Sequence, residues 1–188
     1  IRFPEPIGEV KAYVVIHSEP ATIPHTIGKG IKDAIFRIII SPETVSKLKV
    51  LDEVGLTSNE AINAKGVTIS PRKFLERYFG SLPKPKTQRG DEVHVVRVDV
   101  VGEKDGEKAR CTFDVVNDPK PEWNASSSGF VTGVPASIVA QMLARGDIQL
   151  KGVMPSEACV RPELFIAELT KRGIEIHETL KPTRLHTS

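Results

Sequence analysis

Residues 93–116, VHVVRVDVVGEKDGEKARCTFDVV, carry the clearest fold signal in the chain. Val93, Val95, Val98 and Val100 mark one extended run, and Cys111, Phe113 and Val115 mark the next. Asp105-Gly106 sits between them, a dipeptide suited to the positive φ values of a tight hairpin turn. The alternation is imperfect, so one face of this hairpin is expected to be only partly exposed.

Helix signals surround the hairpin. Ser41 can cap, Pro42 fits the first helical position, Val45, Leu48, Leu51 and Val54 form an apolar stripe, and Gly55 fits the C′ position. Ser70 and Pro71 repeat the device before Phe74, Leu75, Tyr78 and Phe79, with Gly80 at the end. Two more helices are expected, from about Ala136 to Arg145 and from Pro162 toward Gly173. Strands are expected over residues 10–17, 34–40 and 174–178, with short extended pieces at 66–69 and 147–153. Residues 18–30, 81–91 and 117–129 read as connections, the first because it holds two prolines and two glycines. The tail from Lys181 reads as frayed. Hairpins coexisting with helices predict an α+β domain, its helices packed on a mixed, largely antiparallel sheet.

Composition narrows the function classes. The chain has 188 residues, a formal charge of +2, 39% hydrophobic residues and 27% charged residues. That composition is neither disordered nor membrane-spanning, since no run approaches ~18 apolar residues. No segment concentrates Lys and Arg with stacking aromatics, so nucleic acid is not an expected partner. Cys111 and Cys159 form no CxxC, and two reduced thiols fit a cytoplasmic protein. Asn124-Ala125-Ser126 matches a glycosylation sequon by pattern alone. The start Ile-Arg-Phe-Pro lacks an initiator methionine and suggests a fragment or processed product.

Three places could carry chemistry. His17 and Glu19, two apart on an expected strand, share one face, so the carboxylate can orient an imidazole that exchanges protons near neutral pH. A plain polar strand end fits them too. Arg37 interrupts an apolar strand; a buried guanidinium there needs an internal carboxylate or a substrate carboxylate. Thr132-Gly133-Val134-Pro135 precedes an expected helix, whose free N–H groups would attract an anion or be capped by Thr132 or a neighbour. Ser126, Ser127, Ser128 and Gly129 just upstream could line a pocket or form solvent loop. The five histidines are scattered, so no metal is expected. Gly28-Lys29-Gly30 is followed by Asp33 and a strand, which is no dinucleotide fingerprint.

Several stretches, in order, resemble the C-terminal part of the saccharopine dehydrogenase family. They are Phe3-Pro4-Glu5-Pro6-Ile7-Gly8-Glu9-Val10, His17-Ser18-Glu19-Pro20-Ala21-Thr22-Ile23-Pro24, Leu51-Asp52-Glu53-Val54-Gly55-Leu56 and Val67-Thr68-Ile69-Ser70-Pro71-Arg72. Thr132-Gly133-Val134-Pro135-Ala136-Ser137, Gly146-Asp147-Ile148, Lys151-Gly152-Val153-Met154-Pro155-Ser156-Glu157 and Pro162-Glu163-Leu164-Phe165 complete the series. Residues 126–131 depart from the family pattern, which leaves the substrate class open.

The resemblance implies a two-part enzyme. An N-terminal Rossmann domain would bind NAD or NADP, and residues 1–188 would be the C-terminal substrate-binding and dimerisation domain. This chain alone would then be inactive in hydride transfer. The expected substrate is an amino acid or secondary amine, with lysine metabolism as its setting and a homodimer as the assembly. The apolar residues within 10–16 and 35–40 agree with a dimer. His17 would be the acid/base, oriented by Glu19, and Arg37, Thr132 and Gly133 would hold a carboxylate. The alternative is a stand-alone ligand-binding or regulatory module of the same fold.

Overall fold

The computed structural model describes residues 1–83 and 93–182. The chain divides into two compact units, residues 1–24 with 30–87, and residues 25–29 with 88–188. The architecture is α+β, as expected, but its strands form three separate antiparallel sheets among the described residues.

The first unit contains β1 (Ala12–Val15) paired with β2 (Phe36–Ile39), in the register Val14↔Arg37 and Val15↔Phe36. α1 (Glu19–Thr26) starts here and crosses the division between the units. The expected loop over residues 18–30 is therefore corrected: its first half is helical. Pro20 lies in the first turn, where no N–H is needed, and Glu19 favours the positive helix start. Pro24 interrupts the bonding only once in so short a helix.

α2 (Pro42–Glu53) begins as predicted, with the Ser41 hydroxyl accepting from the Thr44 amide and Pro42 in the first turn. It ends where Leu56 N–H reaches Leu51 and Gly55 takes φ 76°. β3 (Ile62–Ala64) and β4 (Val67–Ile69) form a small hairpin. α3 (Pro71–Ser81) is capped by Ser70 as predicted, but Gly80 lies inside its last turn rather than after it.

The second unit holds the hairpin, β5 (His94–Lys104) and β6 (Glu107–Asn117), turned at Asp105 (φ 55°) and Gly106 (φ 82°). β7 (His177–Pro182) adds to β6 and completes a three-stranded sheet. Its strand begins three residues later than expected, because Ile174 turns into the core instead. Lys181 and Pro182 belong to β7, so the chain is not frayed there; the rest of the expected tail lies outside the described residues. So does most of the connection expected at 81–91. Residues 147–153 form no strand.

α4 (Ser127–Arg145) follows a short 3-10 turn at Pro121–Trp123. It starts nine residues before the expected Ala136. Ser126, not Thr132, is the cap, its hydroxyl accepting from the Gly129 amide. Phe130, Val134, Ile138 and Met142 recur every four residues and bury one face. That burial outweighs the helix-breaking tendency of Gly133 and Pro135. α4 is also long and apolar enough to cross a bilayer by composition, but this stripe packs in the core instead. The core is completed by Ile148, Leu169 and Ile174, with Leu169 on α6 (Pro162–Lys171) and a one-turn α5 (Ser156–Cys159) before it. Ile138 is fully buried, so Ile138→Ala is expected to lower unfolding free energy by about 2–5 kcal/mol. Urea unfolding measures it, and a loss under about 1 kcal/mol would contradict this packing.

At the end of α6, Glu168 accepts hydrogen bonds from Lys171 and from Arg172. The Lys171 bond first, and the Arg172 bond next, hold its carboxyl down at about 2, below the ordinary 4.5. A carboxylate depressed in the fold stabilises it fully above the unfolded value of 4.5 and stops doing so as pH falls toward 2. Glu168→Gln should accordingly flatten the fall of the unfolding midpoint across that window. Side-chain NMR showing Glu168 titrating near 4.5 would contradict the assignment.

Candidate functional site

Two residues beyond β1 the chain turns into α1, and His17 and Glu19 meet at that turn. The expected contact exists, although it is made at a strand-to-helix junction and not along a strand. His17 Nδ1 donates to Glu19 Oε2. The Ser18 hydroxyl donates to the same oxygen at 3.0 Å. Partial burial pushes the Glu19 carboxyl up, but the hydrogen bonds from His17, from its own amide and from Ser18, with the His17 charge, outweigh it. The net position is below the ordinary value, so Glu19 is a carboxylate at neutral pH. With Nδ1–H engaged, Nε2 is the ring atom left to exchange a proton.

The imidazole lies flat on Phe36, with ring centroids 3.8 Å apart and planes 8° apart. The β1–β2 register explains the stack: Phe36 pairs with Val15, and His17 follows Val15 by two residues on the same side. An open cleft of about 360 Å³ adjoins the ring, walled by Ile16, Pro20, Ala21, Ile35 and Phe36. His17 and Glu19 side chains are 42% and 49% exposed, so a small ligand reaches them without unfolding anything. An apolar cleft with one oriented histidine and one carboxylate can bind an amine-bearing ligand and move a proton at its nitrogen.

The other candidates lie elsewhere. Arg37 follows Phe36 and so faces the opposite side of the β1–β2 ribbon. It is exposed, which corrects the expected buried guanidinium, and has no ion pair among the described residues. The half-buried guanidinium is Arg97, which pattern reading missed. Its Nε and Nη2 each donate to Asp114 at 2.6 Å, and Asp114 is 8% exposed. The bond to Asp114 raises the Arg97 pKa further despite partial desolvation. Thr132 and Gly133 lie in the second unit, inside the second turn of α4. Their amides are already bonded within the helix, so the expectation of free N–H groups at that position is corrected; only the exposed Thr132 hydroxyl is open. Gly28 and Gly30 both have positive φ, but they lead into β2 with no helix start behind them. Gly28-Lys29-Gly30 is therefore not a phosphate-binding turn at a helix start. No group of three His, Cys, Asp or Glu is placed to hold a metal among the described residues.

The family model for the saccharopine dehydrogenase C-terminal domain matches residues 3–174. The chain belongs to the saccharopine dehydrogenase family. The match begins at Phe3, spans the His17–Glu19 junction, and ends at the core residue Ile174. Within the family, the chain is 27% identical over 187 residues to carboxyaminopropylagmatine dehydrogenase of Synechocystis sp.. That alignment covers 96% of this chain and 45% of the relative, so the chain spans about half the relative's length.

Proposed function

We propose that this chain is the substrate-binding and dimerisation part of an NAD(P)-dependent dehydrogenase acting on a carboxylated secondary amine. The His17–Glu19 pair, stacked on Phe36 at the mouth of an apolar cleft, carries the reading. Family membership supports dehydrogenase chemistry, and the relative's name supports an amine substrate bearing a carboxyl group. The earlier expectation of lysine metabolism and the agmatine-based name share one chemistry, a secondary amine beside a carboxylate.

Oxidation at a carbon bearing nitrogen needs the amine neutral before reaction, and the reverse reduction needs a proton returned to nitrogen. His17 Nε2 would take and return that proton. Glu19 keeps Nδ1 protonated, fixes the ring with Phe36, and stabilises the cationic imidazolium once it forms. The same carboxylate favours a cationic amine in the cleft. Arg37 faces the other side of the β1–β2 ribbon and so is not placed to hold the carboxylate of a substrate seated against His17. Nicotinamide, where bound, would supply the oxidising power, and its cradle would lie in the N-terminal Rossmann domain that the family resemblance implies. This chain by itself would bind substrate and form a homodimer without turning over.

The test is NAD(P)-linked turnover of the native full-length protein with carboxyalkylated lysine and carboxyalkylated agmatine. Dinucleotide-dependent turnover of either is expected. Saturable binding of these amines with no turnover under NAD or NADP would instead favour the binding-module alternative.

A further inference from the structure

α1 carries the carboxylate of the His17–Glu19 pair at its first residue, and its Pro20 and Ala21 wall the cleft. Yet none of its eight residues is buried. A helix that short is not stable on its own, and Pro24 has no N–H to give the Pro20 carbonyl. Contacts at the ends of α1 therefore weigh heavily on its direction. Its start continues from β1, and the Ala21 amide donates to the Ser18 carbonyl at 3.0 Å. At its far end the Thr26 hydroxyl donates to Glu157 Oε1 at 2.9 Å, across 131 residues of sequence. Thr26 and Glu157 both belong to the second unit. Glu157 is itself held in place. It lies in the first turn of α5, where the N–H groups favour a carboxylate, and α5 is tied down by Cys159, which packs against the core.

We propose that Glu157 is a positioning residue for the His17–Glu19 pair, acting through Thr26 and the α1 backbone. The proposal rests on the dehydrogenase reading above and adds a residue to its site. Cys159, Glu157, Thr26 and α1 form a contiguous chain of contacts that ends at the Glu19 carboxylate. Loss of the Thr26–Glu157 bond frees the far end of α1 to swing about its start. Glu19 then meets the imidazole at a poorer angle, and a hydrogen bond weakens steeply as it bends. Phe36 still lies against the ring, and the β1–β2 side of the cleft is unchanged. Proton transfer at His17 Nε2 therefore suffers more than substrate binding, since small misplacements of a catalytic group cost rate before they cost affinity.

The test is steady-state kinetics of the native full-length protein with NAD(P) and carboxyalkylated lysine or carboxyalkylated agmatine. Glu157→Ala is expected to lower kcat about fivefold to twentyfold while KM moves by less than about twofold. Thr26→Val removes the donor and leaves α5 untouched; it should give the same loss, and the double variant no more than either. Glu157→Gln still offers a carbonyl oxygen to Thr26 and should stay within about twofold of wild type. The deciding background is His17→Ala. There Glu157→Ala should cost nothing further, because a residue that acts through the pair has nothing left to position. A loss by the same factor in both backgrounds makes Glu157 a structural residue only and overturns the proposal. Wild-type kinetics in Glu157→Ala and Thr26→Val overturn it too, and leave the dehydrogenase reading standing. No turnover by the native protein, or His17→Ala at wild-type kcat, overturns that reading and the proposal with it. If Glu157→Ala fails to fold, Thr26→Val and its combination with His17→Ala decide alone.

Discussion

Replacing His17 with alanine in the native enzyme is expected to lower kcat/KM by about 10²–10⁴, the range removed with a positioned general acid/base. The secondary structure should survive, because His17 is exposed and lies outside β1 and α1. Glu19→Gln should cost less, about tenfold to a hundredfold, because the amide still accepts from Nδ1–H but no longer stabilises the imidazolium. Phe36→Leu should keep the cleft apolar while releasing the ring, and lower kcat more than it raises KM. Steady-state kinetics with circular dichroism as the folding control read all three. His17→Ala at wild-type kcat/KM would remove the histidine from the mechanism and leave the family membership untouched.

Asp114→Ala is expected to destabilise the second unit by about 2–4 kcal/mol. Asp114 is buried and is the two-point acceptor for Arg97, whose side chain is 22% exposed. Removing the carboxylate leaves a guanidinium partly out of water that has lost its two-point acceptor, so the cost exceeds the net value of the pair. The double replacement Arg97→Met with Asp114→Leu should recover most of the loss, since nothing charged then stays buried. Urea unfolding of the four species decides it. A single Asp114→Ala loss under about 0.5 kcal/mol would mean that the pair is screened like a surface one.

What the sequence disclosed follows from how local each signal is. The β5–β6 hairpin was readable because Asp105-Gly106 sets the turn and alternation sets the pairing within 24 residues. The starts of α2 and α3 were readable because Ser and Pro act on the adjacent backbone. α1 was hidden by Pro20 and Pro24, each of which argues locally for a loop. The first nine residues of α4 were hidden by serines, Gly133 and Pro135; they are helical because Phe130 and Val134 gain burial against residues beyond 145. Tertiary burial of that kind leaves no mark within a short window.

The same distinction holds at the site. His17 and Glu19 could be paired on paper because they are two residues apart. Phe36 could not, since its place under the imidazole depends on the Val15↔Phe36 register across an intervening helix. The Arg97–Asp114 pair likewise depends on cross-strand register, so the rule that a buried guanidinium needs a carboxylate was applied to Arg37. One residue of alternation separates Arg37 from Phe36, and it turns the guanidinium to the other side of the ribbon.

The central claim, that the amine substrate sits against His17, is tested most directly by NMR of the histidine ring. The His17 signals of the native protein, assigned through His17→Gln, are followed while a carboxyalkylated amine is added. The account predicts a His17 shift that saturates at the same concentration as turnover and disappears in the variant. Turnover that saturates while the His17 ring signals stay unmoved would contradict it.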